Sequence, residues 1–560
     1  MTLSLKKWLI ILTITLTIAI VLAGLLVYAF VTKAEEDPVV NTKVGMIQGL
    51  RATDGDYDMY LGVPYAHVDE SNVFGPSIAN GKFKEVFKAH DDSVICPQFE
   101  EFNKTLTGSL DCLRLNIYVP QTASTETPVP VLVFIHGGEY KSGYGGRALY
   151  GPKYLIKHDI IIVTVNYRIG PYGFLCVDIP EVSGNQGLKD QVLALRWIRD
   201  NIECFGGSAD QVTVAGVGSG GENVNLHLLY GKEPLFQKVI IESGIYLDQL
   251  DEEDGIESVP IELASNFGFK TNNEIEAMHF LKAKNPKSVI ASSMRLHLQY
   301  GPCIERNISG VQTFITNQTL RSISDKIRTV PVLIGQSNRE LLKVFSHQNL
   351  DNSEASSLFR DDLVEHFKLR DEQLRKAEKK LRNFYIGRRN VGEAVKGKIV
   401  DFKSDLYHNL PTKRMLDTYL KNGAKKIYYG VFSYSGGSNF VKRVFNITGD
   451  GASKEDVLGY LFDMPFIAKP IANDDQLVID RMTTLWANFV KHGDPTPMKT
   501  KLIPEKWEPV ANGKLNYMEI SSDLKLKVTP FKNRTEFWDL FLKANGNKEI
   551  PTKLIEPWLN

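Results

Sequence analysis

The chain has 560 residues, 43% of them hydrophobic and 24% charged, with 66 Lys and Arg balancing 66 Asp and Glu. Such a composition suits a globular chain with a large core and excludes intrinsic disorder and collagen-like repeats. Zero formal net charge supplies no long-range field for nucleic acid, and the basic patches are short and lack interleaved aromatics, so no nucleic-acid partner is expected.

From Trp8 to Val31 the chain runs 24 residues without a charge, preceded by Lys6 and Lys7 and followed by Lys33, Glu35, Glu36 and Asp37. At ~1.5 Å per residue such a helix measures roughly 36 Å, enough to cross a hydrocarbon core of ~30 Å. The sequence predicts a short cytosolic segment over 1–7, a transmembrane signal-anchor over 8–31, a stalk over 32–40 and one exported body over 41–560. Lys6 and Lys7 place the N-terminus in the cytosol by the positive-inside rule, giving a single-pass type II protein of the plasma membrane. The competing reading is a cleaved signal peptide and a secreted body, because Val21-Leu22-Ala23 and Val27-Tyr28-Ala29 offer small residues at cleavage spacing; against it, such apolar regions usually run only ~7–15 residues. Both readings export the body. N-x-S/T sequons at Asn103, Asn307, Asn317, Asn446 and Asn533 fit glycosylation outside the cell.

Residues 131–135 and 160–165 are short apolar runs bounded by Gly, Asn and Pro, followed by further runs at 212–215, 238–241 and 330–334. Strands buried on both faces of a sheet look like this. Between the second and third runs, Leu188, Val192, Leu195, Trp197 and Ile198 recur at helical spacing. The alternation predicts an α/β fold, a central, mostly parallel sheet flanked by helices, in one domain. The charged stretch from Asp361 to Arg389 carries spaced Leu and Phe and reads as a solvated amphipathic helix pair. Neither CxxC nor HExxH occurs among these residues, so no metal or cofactor is expected.

The run ending at Ile135 leads into His136-Gly137-Gly138-Glu139-Tyr140, where small residues let backbone N–H groups approach a ligand as an oxyanion hole requires. Asp111-Cys112-Leu113-Arg114-Leu115-Asn116 precedes it; Val165-Asn166-Tyr167-Arg168-Ile169-Gly170-Pro171-Tyr172-Gly173-Phe174-Leu175, Gly184-Asn185-Gln186-Gly187-Leu188 and Phe205-Gly206-Gly207 follow. In this order the motifs resemble the carboxylesterase/cholinesterase family of α/β-hydrolases. The resemblance extends from Tyr60-Leu61-Gly62-Val63-Pro64-Tyr65-Ala66 to Trp486-Ala487-Asn488-Phe489, Gly493-Asp494-Pro495 and Phe537-Trp538.

Such a hydrolase sets its serine on a sharp strand-to-helix turn, G-x-S-x-G, with an acid and a histidine later in the chain. Here the turn reads Gly216-Val217-Gly218-Ser219-Gly220-Gly221. Aligned on Gly216, Gly220 and Gly221, the nucleophile's position is Gly218; Ser219 is one residue late, and valine stands where glycine would be needed to make it the nucleophile. The resemblance puts the acid at Glu340 and the base at Lys454, within Gly451-Ala452-Ser453-Lys454-Glu455-Asp456, and the oxyanion-hole positions at Gly138, Glu139 and Ser219. An ammonium with a reference pKa of about 10.4 cannot take a serine proton at neutral pH. Lys454 is instead expected to pair with Glu340. His136 is expected to order its own glycine loop. The resemblance also implies a Cys96–Cys112 disulfide; Cys176, Cys204 and Cys303 read as small buried hydrophobes, the odd count leaving at least one free.

Loss of the serine together with a His-Gly-Gly-x-Tyr loop resembles the cholinesterase-like adhesion molecules, the group of neuroligin, gliotactin and neurotactin. The N-terminal span is like neurotactin's and unlike the C-terminal anchors of the other two, although the cytosolic segment here is short. The expected function is a catalytically inactive, membrane-anchored ectodomain that binds an extracellular protein partner, with a homodimer as a further expectation. The alternatives are an active carboxylic ester hydrolase and a carrier of a lipophilic ligand in the gorge.

Overall fold

The computed structural model describes residues 7–8, 12–13, 15–22, 37–245, 259–320, 324–346, 350, 357–367, 369–465, 467 and 470–545. Residues 9–11, 14 and 23–31 of the expected span and 32–36 of the expected stalk lie outside the described residues. Among the described residues no helix is long and apolar enough to cross a membrane.

An eleven-stranded sheet organises the body. In chain order its strands are β1 (Leu50–Arg51), β2 (Tyr57–Pro64), β3 (Arg114–Pro120), β4 (Val129–Ile135), β5 (Ile161–Val165), β6 (Gly207–Val217), β7 (Lys238–Glu242), β8 (Val332–Ser337), β9 (Ile427–Phe432), β10 (Asn516–Ile520) and β11 (Leu524–Val528). They lie in the order β11-β10-β9-β8-β7-β6-β4-β5-β3-β2-β1. From β5 to β10 every neighbouring pair is parallel; the antiparallel pairs stand at the two edges.

The continuous apolar runs have a direct cause. Val131, Val133 and Ile135 of β4 enter the core on one face of the sheet, while Leu132 and Phe134 enter the core on the other. With a side-chain period of two, a strand covered on both sides has no polar face to show. Helices supply the cover: α1 (Gln186–Asn201) buries Leu188, Val192, Leu195, Trp197 and Ile198, and α2 (Ser219–Tyr230) leaves directly from β6. The charged stretch folds as α3 (Leu358–His366) and α4 (Asp371–Tyr385), and α4 buries Leu374, Ala377, Leu381 and Tyr385 along one stripe.

Cys96 and Cys112 are bonded, with sulfurs 2.01 Å apart. A second disulfide joins Cys176 to Cys303 across a separation of 127 residues, so these two are not the small hydrophobes the sequence suggested. Their loops meet at Gly184, where a β-carbon would lie 2.6 Å from the Cys303 sulfur and 2.7 Å from the Cys176 sulfur. Cys204 is the free thiol.

Candidate functional site

Strand β6 ends at Val217 and α2 begins at Ser219, which leaves Gly218 alone at the tip of the turn. Its backbone has φ 60° and ψ −131°, a region open to glycine and strained for other residues. The Gly218 N–H is anchored on the Glu242 carbonyl oxygen at 2.9 Å. Close packing fixes the flanking glycines: a β-carbon on Gly216 would strike the Gly220 carbonyl, and one on Gly220 would lie 2.6 Å from the His136 carbonyl oxygen. Ser219 is the first residue of the helix rather than its tip, and its buried Oγ has no hydrogen-bond partner among the described residues. The space above Gly218 is filled from another loop. A β-carbon there would lie 2.6 Å from Glu455 Oε1 and 3.2 Å from Lys454 Cε.

Glu340 follows β8 and is buried. Its Oε1 accepts the Ser337 N–H at 2.6 Å and the Ser243 hydroxyl at 2.8 Å. Burial outweighs these donors and the nearby Lys454 charge, pushing the carboxyl up to about 7. Backbone contacts hold the acid's loop against the lysine's: the Lys454 N–H donates to the Glu340 carbonyl oxygen at 3.1 Å, and Ser337 Oγ donates to the Ser453 carbonyl oxygen at 2.8 Å. The side chains do not follow. Among the described residues Lys454 makes no ion pair with Glu340, contrary to the sequence-based expectation. Its ammonium lies in the field of four carboxylates: burial pushes it down, but Glu222, Glu455, Glu340 and Glu139, in decreasing order, together hold it above its ordinary value. Lysine's length explains the difference, since it carries the charge past the acid towards a more crowded acidic region.

Glu340 Oε2 faces His408, whose Nδ1 lies at 3.8 Å. It comes from a π-helical turn, Asp405–Asn409, a local irregularity that often marks functional sites. Burial, then the Lys454 charge, pushes His408 down to about 3, so the imidazole is neutral at physiological pH. No hydrogen bond joins the two groups, and His408 Nδ1 has no partner among the described residues.

With this geometry in view, the carboxylesterase family model matches residues 36–538. The chain belongs to the carboxylesterase family. It is 28% identical over 487 residues to Esterase E4 of Myzus persicae, covering 81% of this chain and 84% of that protein. It is 27% identical over 587 residues to neuroligin-2 of Mus musculus, covering 90% of this chain and 67% of that protein. The solved structure of juvenile hormone esterase from Manduca sexta, with OTFP covalently attached, matches with a TM-score of 0.76 at 24% identity, covering 91% of this chain and 100% of that one; at this identity the likeness establishes the fold.

In this carboxylesterase-family body the loop after β4 turns through three left-handed residues, Gly138, Glu139 and Tyr140, at φ 115°, 52° and 60°. The Gly138 carbonyl oxygen accepts the Lys141 and Ser142 N–H groups, each at 3.0 Å, and the Tyr140 hydroxyl donates to Glu222 at 2.8 Å. His136 stacks on Tyr167, centroids 4.4 Å apart, while its Nδ1 contacts the Gly137 carbonyl oxygen at 2.8 Å, contacts that tie the ring to its own glycine loop. A cavity of about 60 Å³ opens above Gly137 and Gly138, with Glu455 and Lys343 on its wall.

Motif reading missed Glu222, His408 and the orientation of Glu455. A search for histidine within the Gly451–Phe462 motif cannot find His408, which reaches the site from another helix. For a metal, the described residues offer one group, Asp362, Glu365 and His366 of α3, with ligand atoms within 4.8 Å of one another. Within it Asp362 is already engaged: the Lys403 ammonium pairs with its Oδ1 at 2.5 Å, and the Tyr407 hydroxyl donates to the same oxygen at 2.9 Å.

Proposed function

We propose that this chain is an exported, membrane-anchored member of the carboxylesterase family that does not hydrolyse esters and binds an extracellular protein through the surface of its body. The observation that carries the reading is the Glu455 carboxylate, 2.6 Å from where the β-carbon of residue 218 would stand. A serine needs that space and a base beside it, and here glycine leaves the nucleophile out while lysine stands where the family has its histidine. Similarity to neuroligin-2 supports the adhesion-like reading, as does the uncharged run at 8–31 for the anchor. Asn103, Asn307, Asn317, Asn446 and Asn533 are all exposed, which suits an exported glycoprotein.

The ester-hydrolase alternative rests on the named esterases among the relatives and on Ser219. The ligand-carrier alternative finds little room, since a cavity of about 60 Å³ holds a few waters and not a lipophilic molecule. The test is an adhesion and extracellular-binding screen with cells displaying the full chain, run beside an ester-hydrolysis assay. Saturable binding of a protein partner without ester turnover is the expected result. Turnover that disappears in Ser219→Ala would contradict it.

A further inference from the structure

At the far end of α2 from Gly218, a second cavity of about 150 Å³ lies between α1, α2 and the segment around Phe314. Leu195, Phe236 and Phe314 give it apolar walls. The charged residues lining it are Arg196, Lys232, Lys326 and Glu233, an excess of cations. Glu233 is already held: Arg196 Nε donates to its two oxygens at 3.0 and 3.2 Å, and Arg199 approaches at 3.5 Å.

Lys326 is differently placed. Half-buried, it lies 4.9 Å from the centroid of the Phe236 ring and spends one N–H on the Glu233 carbonyl oxygen at 2.5 Å. Among the described residues it forms no ion pair. Burial pushes its ammonium down to about 8, against the pull of Glu233. An ammonium carries three donors, so two remain for a ligand. Lys232 stands exposed at the rim.

We propose that this cavity binds a small organic carboxylate with a compact apolar body, its carboxylate on Lys326 and its body against Leu195 and Phe314. The volume limits the ligand to something near a benzoate, because about 150 Å³ equals the liquid volume of roughly five waters. A cation is repelled by Arg196, Lys232 and Lys326. A neutral apolar molecule leaves the Lys326 donors unmatched.

Isothermal titration of the full-length chain in detergent with benzoate, benzylammonium and phenyl phosphate tests this. Benzoate is expected to bind saturably at one site, benzylammonium not at all and phenyl phosphate no more tightly than benzoate, and Lys326→Met to weaken benzoate by roughly tenfold or more, the size of one charge-assisted hydrogen bond. No saturable benzoate binding, equal affinity in Lys326→Met, tighter binding of phenyl phosphate or binding of benzylammonium each overturns the proposal. Should Lys326→Met fail to fold, reductive methylation of the unaltered chain reads the same contact: benzoate must protect Lys326, and unchanged labelling overturns it.

Discussion

Glu455 and Gly218 compete for one space: the carboxylate oxygen Oε1 lies 2.6 Å from where a β-carbon on residue 218 would be. Any side chain at 218 must displace it, and must also accept φ 60° and ψ −131°, at a cost of about 1–3 kcal/mol for a residue other than glycine. Gly218→Ser is therefore expected to lower the melting temperature and to give no ester turnover. Adding Lys454→His restores the family's residue types but keeps the displaced Glu455 carboxylate crowded beside the new serine, so the double variant is expected to stay near background. Activity should first appear when Glu455→Ala is added. Equal p-nitrophenyl butyrate hydrolysis by the double and triple variants would show that Glu455 obstructs nothing.

Lys454 neutralises a group of carboxylates rather than a single one. Removing it as Lys454→Met leaves Glu222, Glu455 and Glu340 facing one another. The expected loss is on the order of 2 kcal/mol, below the roughly 3–5 kcal/mol of a direct buried pair because among the described residues no carboxylate forms an ion pair with the ammonium. Since Glu222 exerts the largest pull, Lys454→Met with Glu222→Gln should recover stability better than Lys454→Met with Glu340→Gln. Chemical denaturation of the three variants checks the order.

Two buried carboxyls each make a contribution to stability that falls as pH rises. Burial, then the neighbouring Glu340, pushes Glu242 up to about 8, and burial pushes Glu340 up to about 7. Both folded values lie above the ~4.3 of an unfolded glutamate. The native state thus holds protons that the unfolded chain releases, and the stabilisation present below about pH 4.3 is lost as pH rises through 7 and 8. Buried imidazoles such as His408, held down to about 3, oppose this trend below about pH 6.5, so the carboxyl contribution is read from the variant: Glu242→Gln should raise the melting temperature more at pH 8.5 than at pH 5.5.

The second disulfide should matter more than the first. Loop closure over 127 residues is worth about 4.9 kcal/mol in the chain-entropy estimate, against about 3.1 kcal/mol for the 16 residues between Cys96 and Cys112. Paired serine replacements at Cys176 and Cys303 are expected to destabilise the body more than those at Cys96 and Cys112, measured by thermal unfolding without reductant.

The sheet was legible in the sequence wherever both faces of a strand are buried. Runs at 131–135, 160–165 and 238–241 became β4, β5 and β7 because every side chain along them needs an apolar neighbour. The turn at Gly218 was legible too, since Gly216 and Gly220 are fixed by contacts with nearby backbone. Relationships between distant segments were not. Cys176 meets Cys303, and His408 meets Glu340, through the packing of loops far apart in the chain, and no local pattern encodes such a meeting. Family position and the cost of an unpaired buried carboxylate point Lys454 at Glu340; the length of its side chain takes the ammonium elsewhere.

The most direct measurement is ester hydrolysis by the purified full-length chain, with Ser219→Ala as control and a serine-reactive phosphonate as a label. Turnover indistinguishable from that of Ser219→Ala, with no serine labelled, is the predicted result. Saturable turnover abolished by Ser219→Ala, with the phosphonate on Ser219, would contradict the non-hydrolytic reading and make the protein an esterase.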